Sequence, residues 1–518
     1  MAQDDAFVSQ EMSGHLSRVP VTAMITAVVL IPLAIVLAKL LFPVYDRREP
    51  PVMPSTVPFF GHVVSMLRES SDFYQRLYKK KPLAIYTLPV LHGKLYVANS
   101  PGLIAAAMRH SDISFYPIQI EATTGIVGLP PHLVEVLGRT SVFQQIKKLM
   151  ATSLMKEPLR ETKSAALAHC SGVLNSIKPQ TPLETADGWG WIQATMAMTA
   201  AKALYGRNNM WDVERFEDMI LDDSLGLLAI NVVPKLLASG ALAARKRMRA
   251  LLLPFYAQRQ DENPDVARII RDRARYFRRR GASPEEIASM EIIITWAATT
   301  NTVPVMFWIF AHVFSKTDYV ERIRQEMLPL VAVARDEGGN QTATVDASSI
   351  EAVCPFLMAC YRETLRLYVA MTTNRRVMKD VILEDVDGQQ WLLKKGTGLQ
   401  WATSVVHYLP EVWGEDAASF RPERFLNVSP KEERRRRGAM IPFGGGRHLC
   451  PGRQFAQMEI TGLVGVLALG FDVDGVEVPK SEAPPLGPSV RRPVRQSRDD
   501  IRISRRKEWE DVNWKFAC

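Results

Sequence analysis

Cys450 stands in the run FGGGRHLCPG, residues 443 to 452. A thiolate that ligates iron needs shelter from oxidation, backbone N–H groups that stabilise charge on sulfur, and glycines that let the chain lie close to a flat cofactor. This run can supply all three. The next residues, RQFAQMEITGLVGVLAL, keep helical spacing, so Cys450 precedes a helix whose N-terminal dipole favours an anion. A second cluster is the polar patch Thr299, Thr300, Asn301 and Thr302. Pro304 follows it, cannot donate a hydrogen bond, and leaves the Thr300 carbonyl free, so a helix running through the patch must kink or open there.

Further upstream, YRETLRLY carries Glu363 and Arg366, and FRPERF carries Arg424. With the cysteine loop, these segments make the chain resemble the cytochrome P-450 family of haem-thiolate monooxygenases, over almost its whole length. Phe443, Gly446, Cys450 and Gly452 fit the haem-binding loop, Glu363 and Arg366 the ExxR helix, and Arg424 the PERF-like segment. The resemblance implies haem b with Cys450 as the metal ligand. It also implies a buried structural charge network of Glu363, Arg366 and Arg424, in which guanidinium forks satisfy the carboxylate. For the haem propionates it offers Arg447 or His448 in the loop, and Arg375 or Arg376 after the ExxR helix. Adjacent strand residues face opposite sides, so only one of Arg375 and Arg376 is expected to reach the haem. The family's WxxxR signal is missing from SVFQQIKKLM, where Lys147 and Lys148 are the available substitutes.

Most family members carry an acid and then a threonine in the long helix to deliver protons; here those positions are Thr300 and Asn301. The segment AATTNTVPVMFW resembles instead the branch containing sterol 7- and 12-hydroxylases and prostacyclin synthase. Asparagine cannot shuttle a proton as an acid does, so Asn301, Thr300 and Thr302 are expected to act by holding water. The implied reaction inserts one oxygen from O2 into a bulky lipophile, a sterol, terpenoid or polycyclic metabolite, with electrons from NADPH through a partner reductase and cytochrome b5 as an optional second donor. The alternative is an isomerase or dehydratase that rearranges a peroxide substrate without a reductase.

These residues need a scaffold. The long helix should start at Ser283 as N-cap, with Pro284 at its first position and Glu286 completing a capping box, and run to about Ser315. Strand-like alternation is confined to short pieces: 83 to 88, 94 to 99, and a hairpin turning at Asp387-Gly388 between 375 and 403. The fold class is therefore mainly α with small β-sheets, the resemblance implying the cytochrome P-450 fold preceded by one N-terminal transmembrane helix. Residues 19 to 41 read as that anchor, because 19 to 38 carry no charge and span a bilayer core of roughly 30 Å. Residues 1 to 18 read as a short lumenal N-terminus, 42 to 60 as a proline-rich hinge (Pro50, Pro51, Pro54, Pro58), and 61 to 518 as the catalytic domain. Basic residues follow the span (Lys39, Arg47, Arg48), which puts the domain in the cytosol, and the resemblance to the family's microsomal members implies a single-pass endoplasmic reticulum protein.

The 518 residues hold five cysteines and no CxxC pair, which argues against a disulfide scaffold or a zinc site. The net charge of +9 suits a lipid surface or an acidic flavoprotein, and no motif points to nucleic acid. Arg434 to Arg437 form a basic run just before the haem loop, read either as a solvated loop or as a docking face for the reductase. The apolar stretches 114 to 133 and 225 to 244 correspond by order to the segments that line or roof the family's pocket.

Overall fold

The computed structural model describes residues 45–55, 61–90, 93–207, 228, 238–484, 487–494 and 500–518. The anchor at 19 to 41 and the segment before it lie outside the described residues, as does most of 225 to 244. Helices dominate, and six of them position the site: α1 (Thr140–Ser153), α2 (Pro284–Thr299), α3 (Thr302–Phe314), α4 (Pro355–Tyr368), α5 (Pro430–Ala439) and α6 (Arg453–Gly470).

The start of α2 follows from its first four residues. Ser283 Oγ accepts the Glu286 N–H at 3.2 Å, Glu286 Oε2 accepts the Ser283 N–H at 2.8 Å, and Pro284 occupies a position where no donor is needed. The helix ends at Thr299 and resumes as α3 at Thr302, so the break falls at Thr300 and Asn301, within one turn of Pro304. Pro284–Phe314 is long and apolar enough to cross a membrane, yet 72% of its most apolar window is buried inside the fold. Every residue of α3 is buried, and Trp308, Ile309 and Phe310 share one core with Leu357 of α4 and Val464 of α6. α3 is thus the central helix of a globular body.

A five-stranded sheet flanks the helices: β1 (Ile85–Val90), β2 (Gly93–Ala98), β3 (Ile113–Ser114), β4 (Thr372–Val377) and β5 (Gly398–Ala402), in the order β1-β2-β5-β4-β3. The β2–β5 pairing is parallel and the others antiparallel. Along β4, Thr373, Arg375 and Val377 are buried while Asn374 and Arg376 are only partly so, the period-two pattern of a strand with one face on the core. Val381–Glu384 and Gln390–Leu393 form the hairpin expected at Asp387-Gly388, with Gly388 at φ +84. Residues 50 to 53 dock on β1: Thr87 N–H donates to the Pro51 carbonyl at 2.8 Å, and Met53 N–H to the Thr87 carbonyl at 2.9 Å. Prolines keep their carbonyls free as acceptors, so this stretch can add a rung to the sheet.

Candidate haem-thiolate site

α4 holds the charge network. Glu363 and Arg366 lie one turn apart, and both are fully buried. Arg366 Nε and Nη2 donate to the two Glu363 oxygens, each at 2.7 Å, and its Nη1 donates to the carbonyls of His407 and Ala417, both at 2.7 Å. Arg424 Nε reaches Glu363 Oε1 at 3.2 Å, the Arg421 N–H the same oxygen at 2.9 Å, and Arg424 Nη1 reaches Asp416 Oδ1 at 2.7 Å. Such a pair tolerates burial only because nearly every lone pair and N–H is used.

The network is wired to the cysteine loop through His407. Its Nε2 accepts the Ile441 N–H at 3.2 Å, which leaves Nδ1–H to donate to the Arg366 carbonyl at 2.9 Å. The imidazole is neutral: burial, with help from Arg366, brings its pKa down to about 3. Two residues beyond Ile441, the Phe443 carbonyl accepts the Cys450 N–H at 3.0 Å and closes the loop. Gly446 has φ +60, and a Cβ there would lie 2.8 Å from the Met108 carbonyl oxygen, so the turn requires glycine. Cys450 leads into α6, and Arg453 Nη1 donates to its carbonyl at 3.1 Å. Burial pushes the Cys450 thiol up, while the backbone N–H groups of Gly452 and Arg453 and the Arg453 charge pull the other way. A bound cation would outweigh burial and favour the thiolate.

Cys450, Phe443 and Gly452 line a cavity together with Asn301 at the helix break and Thr302 and Val305 of α3. Its volume is about 340 Å³, and the rest of the wall is largely apolar: Val369, Met371, Ile294, Ala298 and Val490 among others. Within the polar patch the hydroxyls are already engaged. Thr300 is buried and bonds back to the Trp296 carbonyl, and Thr302 Oγ1 donates to the Ala298 carbonyl at 3.1 Å. Thr300 is not part of the cavity wall. Asn301 Oδ1 accepts the Ser489 N–H at 2.8 Å.

The charged groups at the edge of this loop separate the candidates for the propionates. Arg375 is 3% exposed and has no carboxylate partner among the described residues. Its Nη1 donates to the Asn374 carbonyl at 2.8 Å, its guanidinium lies 4.8 Å from the Phe115 ring, and burial pulls its pKa down to about 10. Arg376, on the opposite face of β4, bonds Glu121 at 3.3 Å and the Gly396 carbonyl at 3.4 Å, and takes no part in this cluster. Arg447 is exposed, and its backbone carbonyl accepts from Lys147 Nζ of α1. His448 packs edge-on to Phe115 and Tyr116, and burial with the charges of Lys147, Arg375 and Arg447 lowers its pKa to about 4. Lys147 is lowered too, by burial and then by Arg447 and Arg375. Lys147, Arg375 and Arg447 repel one another around a neutral His448, and Lys147 and Arg375 have no carboxylate partner among the described residues. Two propionates on an iron porphyrin supply that partner, so the residues present fit haem: Cys450 for the metal, and Arg375, Lys147 and His448 for the carboxylates.

Sequence reasoning left Lys147 beside Lys148, and the structure separates them: Lys148 is exposed. It missed Ser489 and His407 as parts of the site. Residues 114 to 133 contribute none of the cavity lining; Phe115 and Tyr116 instead pack against His448. The basic run on α5 is not uniform: Arg436 Nη1 turns inward to the Arg424 carbonyl, whereas Arg437 pairs with Glu433 on the surface.

The chain matches the family model described as Cytochrome P450 over residues 50–494. A cytochrome P450 monooxygenase of Gibberella zeae is 31% identical over 487 residues, covering 92% of each chain. A cytochrome P450 monooxygenase of Hypoxylon pulicicidum is 27% identical, covering 91% of this chain and 92% of the relative. The 7-alpha-hydroxycholest-4-en-3-one 12-alpha-hydroxylase of Oryctolagus cuniculus is 25% identical, covering 85% of this chain and 89% of its own. With the cysteine loop, the buried glutamate-arginine network and a match across most of its length, the chain belongs to the cytochrome P450 family of monooxygenases.

Proposed function

We propose that the enzyme inserts one oxygen atom of O2 into a bulky lipophilic substrate, a sterol, terpenoid or polycyclic secondary metabolite. The second oxygen leaves as water, and the two electrons come from NADPH through a partner reductase. The observation that carries this reading is the largely apolar cavity whose lining includes both Cys450 and the opened helix at Asn301 and Thr302. Bound haem supplies the oxygen chemistry, with the Cys450 thiolate pushing electron density onto iron. Everything else falls to the chain. Arg375, Lys147 and His448 hold the propionates, Val369, Met371, Val305 and Val490 shed water from around the substrate, and the Thr302 hydroxyl and Asn301 amide hold water for proton delivery.

In this reading residues 19 to 41 anchor the enzyme in the endoplasmic reticulum membrane with the catalytic domain in the cytosol, and lipophilic substrate enters from the bilayer. The exposed arginines of α5 meet the acidic face of a flavoprotein reductase, with cytochrome b5 an optional alternative donor of the second electron. Purified protein, reductase, NADPH and a set of sterols and terpenoids test the proposal. The expected result is a product that depends on NADPH and O2, from a protein whose reduced, carbon-monoxide-treated form has the red-shifted Soret band of thiolate ligation. Turnover of a lipid peroxide without reductase, and none with it, would replace the proposal by the isomerase reading.

A further inference from the structure

The cavity wall is made partly by a short segment from the C-terminal part of the chain, in which Ser489 and Val490 both line the cavity. One edge of this segment is stitched to the end of α4. Ala370 N–H donates to the Ser489 carbonyl at 2.7 Å, Arg491 N–H to the Tyr368 carbonyl at 2.8 Å, and Val490 bridges Val369. The other edge is held by the broken helix: Trp308 Nε1 of α3 donates to the Arg491 carbonyl at 2.8 Å, and Asn301 Oδ1 accepts the Ser489 N–H at 2.8 Å. Trp308 is itself fixed, stacked on Tyr368 with ring centroids 3.9 Å apart.

The Asn301 contact differs from the rest because it starts at the break in the helix, where the backbone has lost its regular ladder. A backbone N–H can only donate, so the atom facing Ser489 must be the carboxamide oxygen, and the side chain has one allowed orientation. Its Nδ2 group is left without a protein partner among the described residues.

We propose that Asn301 is a positioning residue that sets ligand selectivity: its side-chain oxygen latches the wall segment at Ser489 and Val490 to the helix break, and so fixes the shape of the cavity. The proposal rests on the monooxygenase reading only for what the cavity finally oxidises. A side chain whose oxygen is committed to the wall cannot turn to relay protons, and it couples any ligand that presses on Val490 to the helix break. Only the donor Nδ2 remains for water.

Two variants separate the oxygen from the nitrogen. Asn301→Asp keeps an acceptor for Ser489 and removes the amide donor, whereas Asn301→Ala removes both. Hydrogen exchange of the haem-loaded protein reads the latch directly, in the peptide that carries the Ser489 amide. The expected result is at least tenfold faster exchange in the alanine variant and exchange within threefold of the parent in the aspartate variant. Selectivity is read from the ratio of the dissociation constants of clotrimazole and imidazole, which both bind haem iron but differ in bulk. That ratio should shift at least threefold in Asn301→Ala and in Ser489→Pro, which removes the N–H from the other side, and stay at the parental value in Asn301→Asp. Parental exchange in the alanine variant would overturn the latch, and faster exchange with an unchanged ratio would overturn its role in selectivity. Neither readout needs turnover, so failure of the monooxygenase assay would leave both results standing.

Discussion

Arg366 lets the strength of the scaffold be worked out atom by atom. Its side chain is fully buried and makes two bonds of 2.7 Å to Glu363, two of 2.7 Å to the carbonyls of His407 and Ala417, and one of 3.3 Å to the Ser419 carbonyl. Arg366→Met keeps much of the volume and removes all five. Glu363 would keep Arg424 Nε at 3.2 Å and the Arg421 N–H at 2.9 Å, but stay buried without its bidentate partner. Breaking such a pair costs about 3–5 kcal/mol, and each carbonyl left buried without a donor adds about 1–3 kcal/mol. Against a total stability of about 5–15 kcal/mol, the single variant should be mostly unable to hold haem at 37 °C. The double variant Glu363→Met/Arg366→Met removes the stranded charge as well, and should recover at least about 2 kcal/mol relative to the sum of the two single variants. The assay is urea titration of haem-loaded protein at 25 °C, following the fraction that keeps the thiolate-type spectrum of the reduced, carbon-monoxide-bound form. An Arg366→Met protein within about 1 kcal/mol of the parent, or a double variant that loses the full sum, would refute the reasoning.

Arg375→Leu should speed haem loss by about 10-fold or more, the worth of a charge-assisted bond to a propionate, while Arg376→Leu should change it less than about 3-fold; transfer of haem to apomyoglobin measures both. Gly446→Ala places a Cβ at φ +60 against the Met108 carbonyl and should lower haem occupancy and melting temperature, whereas Gly438→Ala on α5, where a Cβ meets Pro101 Cβ at 3.5 Å, should leave both unchanged or slightly raised. His312, stacked on Phe420 at 3.8 Å and bonded to the Tyr368 hydroxyl at 2.7 Å, has its pKa lowered to about 3 by burial and by Lys316. Because the unfolded chain takes up that proton near pH 6.5 and the folded one does not, its share of stability is whole above pH 6.5 and falls by about 1.4 kcal/mol per pH unit between 6.5 and 3. His312→Phe should flatten the stability profile by that slope between pH 6 and 4.5 in urea titrations, and an unchanged slope would show that the folded imidazole titrates normally.

What the sequence made legible and what it hid divide along a physical line. The capping box at Ser283, the break forced by Pro304 and the turn at Asp387-Gly388 are local: each is set by residues within four positions of one another, and each stands where the spacing puts it. The cysteine loop and the Glu363–Arg366 pair are local too, the second because three residues is one helical turn. The rest of the site is decided by which face of an element meets which neighbour. Alternation along β4 states that Arg375 and Arg376 point apart, but only the pairing with β5 and the packing of Phe115 decide that Arg375 goes in. Lys147 and Lys148 pose the same choice on α1, and contact with the Arg447 carbonyl makes it. The Asn301–Ser489 bond joins residues 188 apart in the chain and has no local signature, since asparagine beside a helix break reads equally as a cap, a water ligand or a latch. The chemistry was legible because a thiolate imposes its demands on its immediate neighbours. Selectivity was not, because it belongs to a wall assembled from distant segments, and one amide oxygen at the helix break is where that wall meets the chemistry.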